Sequence, residues 1–241
     1  VGDDFGDDDI ERLRSREIDL AGLQIVEGGK TFRWSGEYSE DMNSRETLSV
    51  ELNVFEHFEP VLPPDYIRSS FVFLANASPA TQLSVPEQVE SPVCVMADTM
   101  DLWIGIAREE LERVLGRIDL LVINETEARE YSGTSNLVEA GALLRSKGPK
   151  YVIIKLGEFG AILFGSPEIN HGMFRCGAFP LREVADPTGA GDTFLGAMAG
   201  YLASLGRTDY EFEHIRDAIV RGTVMASFTC EAFSTRRIED L

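Results

Sequence analysis

Four short, almost wholly apolar runs, spaced by amphipathic stretches, set the strongest limit on what this chain can fold into. They are Phe71–Leu74, Val93–Ala97 with Asp98 behind it, Leu120–Ile123 and Tyr151–Ile154. A strand that reads as continuous hydrophobic residues is covered on both faces, which is the condition of a parallel sheet between helical layers. The intervening stretches repeat their apolar residues at helical spacing: Gln82–Val89, Leu102–Leu115, Glu125–Tyr131 and Leu137–Leu144, then a long helix from about Glu213 to Phe228. Ala161–Phe164 and Gly172–Phe174 read as later strands, suggesting an antiparallel hairpin at one edge. The expected fold class is therefore α/β, a doubly wound, mostly parallel sheet with helices on both faces. At 241 residues and 44% hydrophobic content, one such domain spanning 1–241 has ample core.

The first 65 residues read differently. Asp7–Asp9 open a short helix carrying Ile10, Leu13 and Ile18. Leu23–Val26 reads as a strand, Gly28-Gly29 as a turn and Thr31–Tyr38 as a second strand. From Leu48 to Val54 apolar and polar residues alternate strictly, the pattern of a strand covered on one face only. A small β-sheet at about 22–55, outside the main core, is expected; it reads either as a lid or as an ordinary edge hairpin. Gly28-Gly29-Lys30-Thr31 has the look of a P-loop end. That motif requires Gly where Gln24 stands and a helix where a strand-like run follows, so a hairpin turn is the better reading.

Ligands of doubly wound sheets sit beyond the carboxyl ends of the strands. Three strand ends carry polar groups there: Asp98, then Asn124 with Glu127, then Lys155 with Gly157. Each has a plain structural explanation, Asn124 and Glu127 as a capping box, Lys155 as an exposed strand terminus, Gly157 as a turn. A fourth feature is the stretch Asp186-Pro187-Thr188-Gly189-Ala190-Gly191-Asp192-Thr193-Phe194, which follows a short apolar segment, Leu181–Ala185, in a strand–turn–helix context. Phe194, Leu195, Met198, Tyr201 and Leu202 then repeat at helical spacing, so a helix starts near Gly189. A small-residue turn at a helix N-terminus aims free N–H groups and the positive end of the helix dipole at one point, a place for phosphate or an oxyanion. Asp192 lies in the first turn beside that point, where a carboxylate can serve as a base. Gly189-x-Gly191 is no dinucleotide fingerprint, because Phe194 takes the third glycine's place.

The whole string resembles the C-terminal D-x-x-G-A-G-D-x-F signature of the PfkB/ribokinase family of carbohydrate and nucleoside kinases, with every fixed position present. Asn124-x-x-Glu127 resembles the family's N-x-x-E motif, and Lys155-x-Gly157-x-x-Gly160 lies where the family has a strand and loop lining the ATP phosphates. The resemblance implies a ribokinase-like fold and phosphoryl transfer from ATP with Mg2+ to a hydroxymethyl group of a small sugar or nucleoside. It implies Asp192 as base and the N–H groups of Gly189, Ala190, Gly191 and Asp192 as the anion hole. Asn124 and Glu127 would hold magnesium through water, a fit for a hard ion that keeps its waters. Lys155, Gly157 and Thr188 would line the nucleotide, and Asp186 with Thr188 resembles the site of a monovalent cation, K+, in some members. Lids of this family often pair between subunits, implying a homodimer.

Composition narrows the alternatives. Against 22 Lys and Arg stand 41 Asp and Glu, a formal charge of −19, which opposes binding of nucleic acid or anionic membrane. Cys94, Cys176 and Cys230 form no C-x-x-C pair and suit reduced thiols in the cytoplasm. His57, His171 and His214 are scattered and give no histidine metal site. Family members begin earlier: a first strand, a substrate-binding aspartate and a Gly-Gly segment are expected before Val1 and find no match, so either the chain is a fragment or that part is encoded elsewhere. The functional expectation is an active small-molecule kinase, the alternative a catalytically inactive ligand-binding or assembly protein on a kinase scaffold.

Overall fold

The computed structural model describes residues 1–40, 42, 45–168 and 172–241, so His171 and part of the expected small sheet (Asp41, Asn43, Ser44) lie outside the described residues. The chain divides into two compact units, Val1–Ile67 and Arg68–Leu241.

In the first unit, helix α1 (Asp7–Ser15) has Asp7, Asp8 and Asp9 in its first turn and Arg12 and Arg14 in its last, both favourable to the helix dipole. Strands β1 (Arg33–Tyr38) and β2 (Arg45–Glu51) pair antiparallel, with a register break between Ser35 and Gly36. Leu23–Val26 is not a strand: its only pairing is a single bridge from Val26 to Gly2. The first four residues are used instead to anchor the turn that follows. Asp3 Oδ2 accepts from Gly28 N (2.8 Å), and one Asp4 oxygen accepts from Thr31 N and Oγ1, both at 2.7 Å. These bonds, led by that of the Thr31 hydroxyl, hold the Asp4 carboxyl down at about 2. The P-loop lookalike is thus a turn fastened by carboxylates, which would repel a phosphate. β2 also stops short, because 53–55 forms a turn of 3-10 helix. Its alternating face is open: Leu48 and Val50 are 59% and 46% exposed, where one covered face was expected. The unit's apolar contacts run instead through the rings of Phe32, Phe55 and Phe58.

The second unit holds β3 (Phe71–Leu74), α2 (Pro79–Ser84), β4 (Cys94–Asp98), α3 (Asp101–Ile106), α4 (Arg108–Leu115), β5 (Leu120–Asn124), α5 (Glu125–Ser132), α6 (Leu137–Ser146), β6 (Tyr151–Lys155), β7 (Ala161–Phe164), β8 (Met173–Cys176), α7 (Ala190–Ser204), α8 (Phe212–Cys230) and α9 (Arg236–Glu239). The sheet order is β3-β4-β5-β6-β7-β8. The first four strands are parallel, and β7 and β8 add antiparallel as the expected edge hairpin. Successive residues of one strand feed opposite layers, which is why these runs are apolar throughout. Leu121 and Ile123 pack with Leu111, Tyr131 and Leu144 on one face; Leu120 and Val122 pack with Phe194, Met198 and Ile219 on the other.

Three local expectations are corrected. The helix expected over 82–89 begins earlier, at Pro79, because Ser78 Oγ accepts from Thr81 N and Pro79 suits the first helical position. The helix expected over 102–115 is two, broken at Ala107 (φ −136°, ψ 40°). The break leaves Ile106 71% exposed while Leu111, Val114 and Leu115 are buried, and Arg108 lies over the Tyr131 ring and donates to its carbonyl. Leu181–Ala185 is irregular, not a strand; Ala185 N is satisfied by Cys230 O at the end of α8 (2.8 Å). Among the described residues, no helix is long and apolar enough to cross a membrane.

Candidate active site

β4, β5 and β6 are neighbouring parallel strands whose last residues are Asp98, Asn124 and Lys155. The three expected polar strand ends therefore share one edge of the sheet. Asn124 caps α5: its Oδ1 accepts from Glu127 N and its own N donates to Glu127 Oε2, each 2.9 Å. The capping box is real, and it leaves the other Glu127 oxygen uncommitted. Glu127 is 6% exposed. Burial pushes its carboxyl from the ordinary 4.5 up to about 7, against the pull of the Asn124 N–H and the Lys155 ammonium, with Asp98 and Asp101 adding to the rise.

A buried carboxyl that favours its acid form is one that a nearby cation would return to the charged form. Among the described residues no three His, Cys, Asp or Glu side chains cluster as a metal cage. The donors present, one amide oxygen and one carboxylate, nevertheless fit magnesium, which takes few protein ligands and completes its shell with water and phosphate. The raised carboxyl also sets a pH dependence. Glu127 favours the folded state fully below about 4.5, and that contribution is lost as pH rises through about 7. In EDTA, the stability of wild type minus that of Glu127→Gln is expected to fall by on the order of 3 kcal/mol over this window. Thermal melts of both proteins at stepped pH check this; parallel curves would refute the burial argument.

The glycine turn takes the expected form. Gly189 is left-handed (φ 81°, ψ −1°) and precedes α7, a conformation glycine adopts without strain. Thr188 N donates to Asp186 Oδ1 (2.9 Å), Ala190 N to Pro187 O (3.1 Å), and Thr193 N makes the first full helical bond to Gly189 O (2.8 Å). Of the four N–H groups expected at the anion site, that of Ala190 is thus engaged in the turn. Those of Gly191 and Asp192 lie in the first turn, ahead of any intrahelical acceptor. Asp192 is exposed there, and its charge is felt by Asp98. Lys155 reaches the same place: a Cβ on Gly191 would stand 3.2 Å from its Nζ, so the ammonium lies close against the first turn of the helix.

α8 braces the turn from behind. Cys230 O receives the N–H groups of Ala185 and Asp186, and Thr229 Oγ1 donates to Thr193 Oγ1 (2.8 Å). Asp186 is 9% exposed and sits between these elements; its charge, after burial, raises the Cys230 thiol. Gly157 follows Lys155 in an exposed left-handed turn (φ 56°). Gly160, closing that turn, passes so near β8 that a Cβ would meet Cys176 O at 2.0 Å.

Asp98, placed by its strand at the ligand edge, had no role assigned from the sequence. Its Oδ1 lies 3.8 Å from Lys155 Nζ, and it is 8% exposed. The available signal was its position, a carboxylate closing an apolar strand like its two neighbours.

The profile described as pfkB family carbohydrate kinase matches residues 1–240. A cytidine kinase of Thermococcus kodakarensis is 29% identical over 208 residues, covering 83% of this chain and 71% of that protein. A nucleoside kinase of Methanothermobacter thermautotrophicus is 29% identical over 208 residues, covering 84% of this chain and 64% of that protein. The chain thus spans about two thirds of the length of these relatives. A solved ribokinase structure from Giardia lamblia superposes with a TM-score of 0.80 at 21% identity, over all of this chain and 81% of that one, a likeness of fold.

Proposed function

The chain belongs to the pfkB family of carbohydrate kinases, and on that premise we propose that it transfers the γ-phosphoryl group of ATP to a hydroxymethyl group of a small nucleoside or sugar. The observation that carries the reading is the meeting of the Lys155 ammonium, the N-terminus of α7 and the Asp192 carboxylate at one edge of the sheet. A transferring phosphoryl group needs positive charge around its equatorial oxygens and a base on the attacking hydroxyl, and little else from the protein.

In this reading the N–H groups of Gly191 and Asp192, with the helix dipole, receive the equatorial oxygens, joined by that of Gly189. Lys155 offsets the γ-phosphate charge. Asp192 accepts the proton of the acceptor hydroxyl as its oxygen attacks phosphorus and ADP leaves. Asn124 and Glu127 would hold magnesium through water, and the ion would supply positive charge that offsets the phosphates. Gly157 lets the loop after β6 lie close to the nucleotide. The two archaeal relatives, by their names a cytidine kinase and a nucleoside kinase, lead us to place nucleosides ahead of sugars as acceptors.

The test is ADP release from ATP and magnesium over a panel of nucleosides and sugars, with phosphorylated product identified by mass. Stimulation by one acceptor, abolished in Asp192→Asn, is expected. A panel with no product above that variant would sink the kinase reading in favour of a binding protein. The same assay in potassium and in sodium reads the monovalent-cation role of Asp186 and Thr188.

A further inference from the structure

We propose that Asp98 is a positioning residue of this site, holding the Lys155 ammonium against the N-terminal turn of α7; the proposal rests on the kinase reading of that turn. Asp98 and Lys155 close β4 and β6, with β5 between them. Their side chains meet across it at 3.8 Å, and the ammonium also lies close to Gly191. The ammonium thus has one carboxylate and one helix terminus as near neighbours.

The carboxylate is itself fixed. Asp98 Oδ1 accepts from Thr99 N (2.8 Å), and Asp98 O accepts from Nε2 of the buried Gln82 (2.8 Å), which also donates to Ala75 O (3.0 Å) at the end of β3. A lysine side chain has four rotatable bonds and a strongly hydrated head, so nothing in its own structure would keep it at this point. A buried counter-charge does. At 3.8 Å the pair is an ion pair and not a hydrogen bond. Asp98 therefore steers the ammonium without occupying its donors, which stay available to phosphate oxygens. The dependence is mutual: burial and the charge of Asp192 raise the Asp98 carboxyl, and Lys155 opposes both.

A double-mutant cycle tests this, using wild type, Asp98→Asn, Lys155→Met and the double variant. MgATP affinity is read by calorimetry, and kcat and acceptor KM with the fastest acceptor of the panel. Asp98→Asn is expected to weaken MgATP about tenfold or more, with acceptor KM changed less than about twofold, because the ammonium loses its place and not the acceptor its contacts. In the Lys155→Met background the same change is expected to cost less than about twofold. Should the single Asn variant fail to fold, the double variant, which leaves no unpaired buried charge, is compared with Lys155→Met directly; equal MgATP affinity supports the proposal.

Asp98→Asn with wild-type MgATP affinity overturns it, as does an undiminished effect of the change when Lys155 is already gone. A lowered melting temperature with unchanged affinity also overturns it, leaving the pair structural. Wild type that binds MgATP yet phosphorylates no acceptor refutes the kinase reading while the affinity cycle still decides for or against the pair. Wild type that does not bind MgATP refutes both.

Discussion

Asp192→Asn is expected to lower kcat by about 10²–10⁴-fold, the usual reach of a general base, while MgATP affinity and melting temperature stay close to wild type. The amide keeps the size and shape of the carboxyl and the same place in the first turn of α7. What it loses is the capacity to take the hydroxyl proton. The side chain is exposed, so the fold has little stake in it. Single-turnover measurement with MgATP and the acceptor separates the chemical step from binding. A variant retaining more than about a tenth of wild-type kcat would show that the acceptor proton goes elsewhere, and the 189–192 turn would remain an anion site without its base.

Phe194→Ala, two residues further on the same helix, is expected to do the opposite. Phe194 is 5% exposed and packs in the layer with Leu195, Met198 and Leu202 beneath β5 and β6. Its ring lies so tightly on α8 that a Cβ at Gly222 would come within 2.8 Å of it. Truncation leaves a cavity between two helices already fastened at the Thr193–Thr229 hydroxyl bond, so collapse around it is limited. A loss of about 3–5 kcal/mol follows for a buried Phe→Ala change, read by urea unfolding against wild type. A loss under about 1 kcal/mol would mean that the helices close over the gap. The two substitutions would divide one motif: on the proposed mechanism Asp192 serves the chemistry and Phe194 the packing that aims it.

Asn124 and Glu127 were legible as a capping box because the spacing is local, and the box is formed. What the spacing could not reveal is that Glu127 is buried, which pushes its carboxyl up to about 7 against the pull of the Lys155 ammonium. The pairing of Asp98 with Lys155 was likewise hidden. Both residues were visible as strand ends, but their contact depends on β5 lying between β4 and β6.

Local periodicity carried most of what could be read before folding. Runs apolar on both faces had to become interior strands, stretches with a 3.6-residue repeat had to become helices over them, and one of those helices had to start near Gly189. The tertiary structure alone decided whatever depends on partners distant in the chain. Leu181–Ala185 carries a strand-like pattern, yet its end is held by Cys230 O and it pairs with no strand. The stretch 102–115 carries one helical pattern, yet it is two helices, the second beginning where Arg108 lies on Tyr131. Leu23–Val26 has the composition of a strand, yet Val26 N donates to Val1 O, Val26 O accepts from Gly29 N in the turn, and the ladder goes no further than the bridge to Gly2. A pattern states which groups a segment must bury or bond; which partners it finds is settled only when the other segments have arrived.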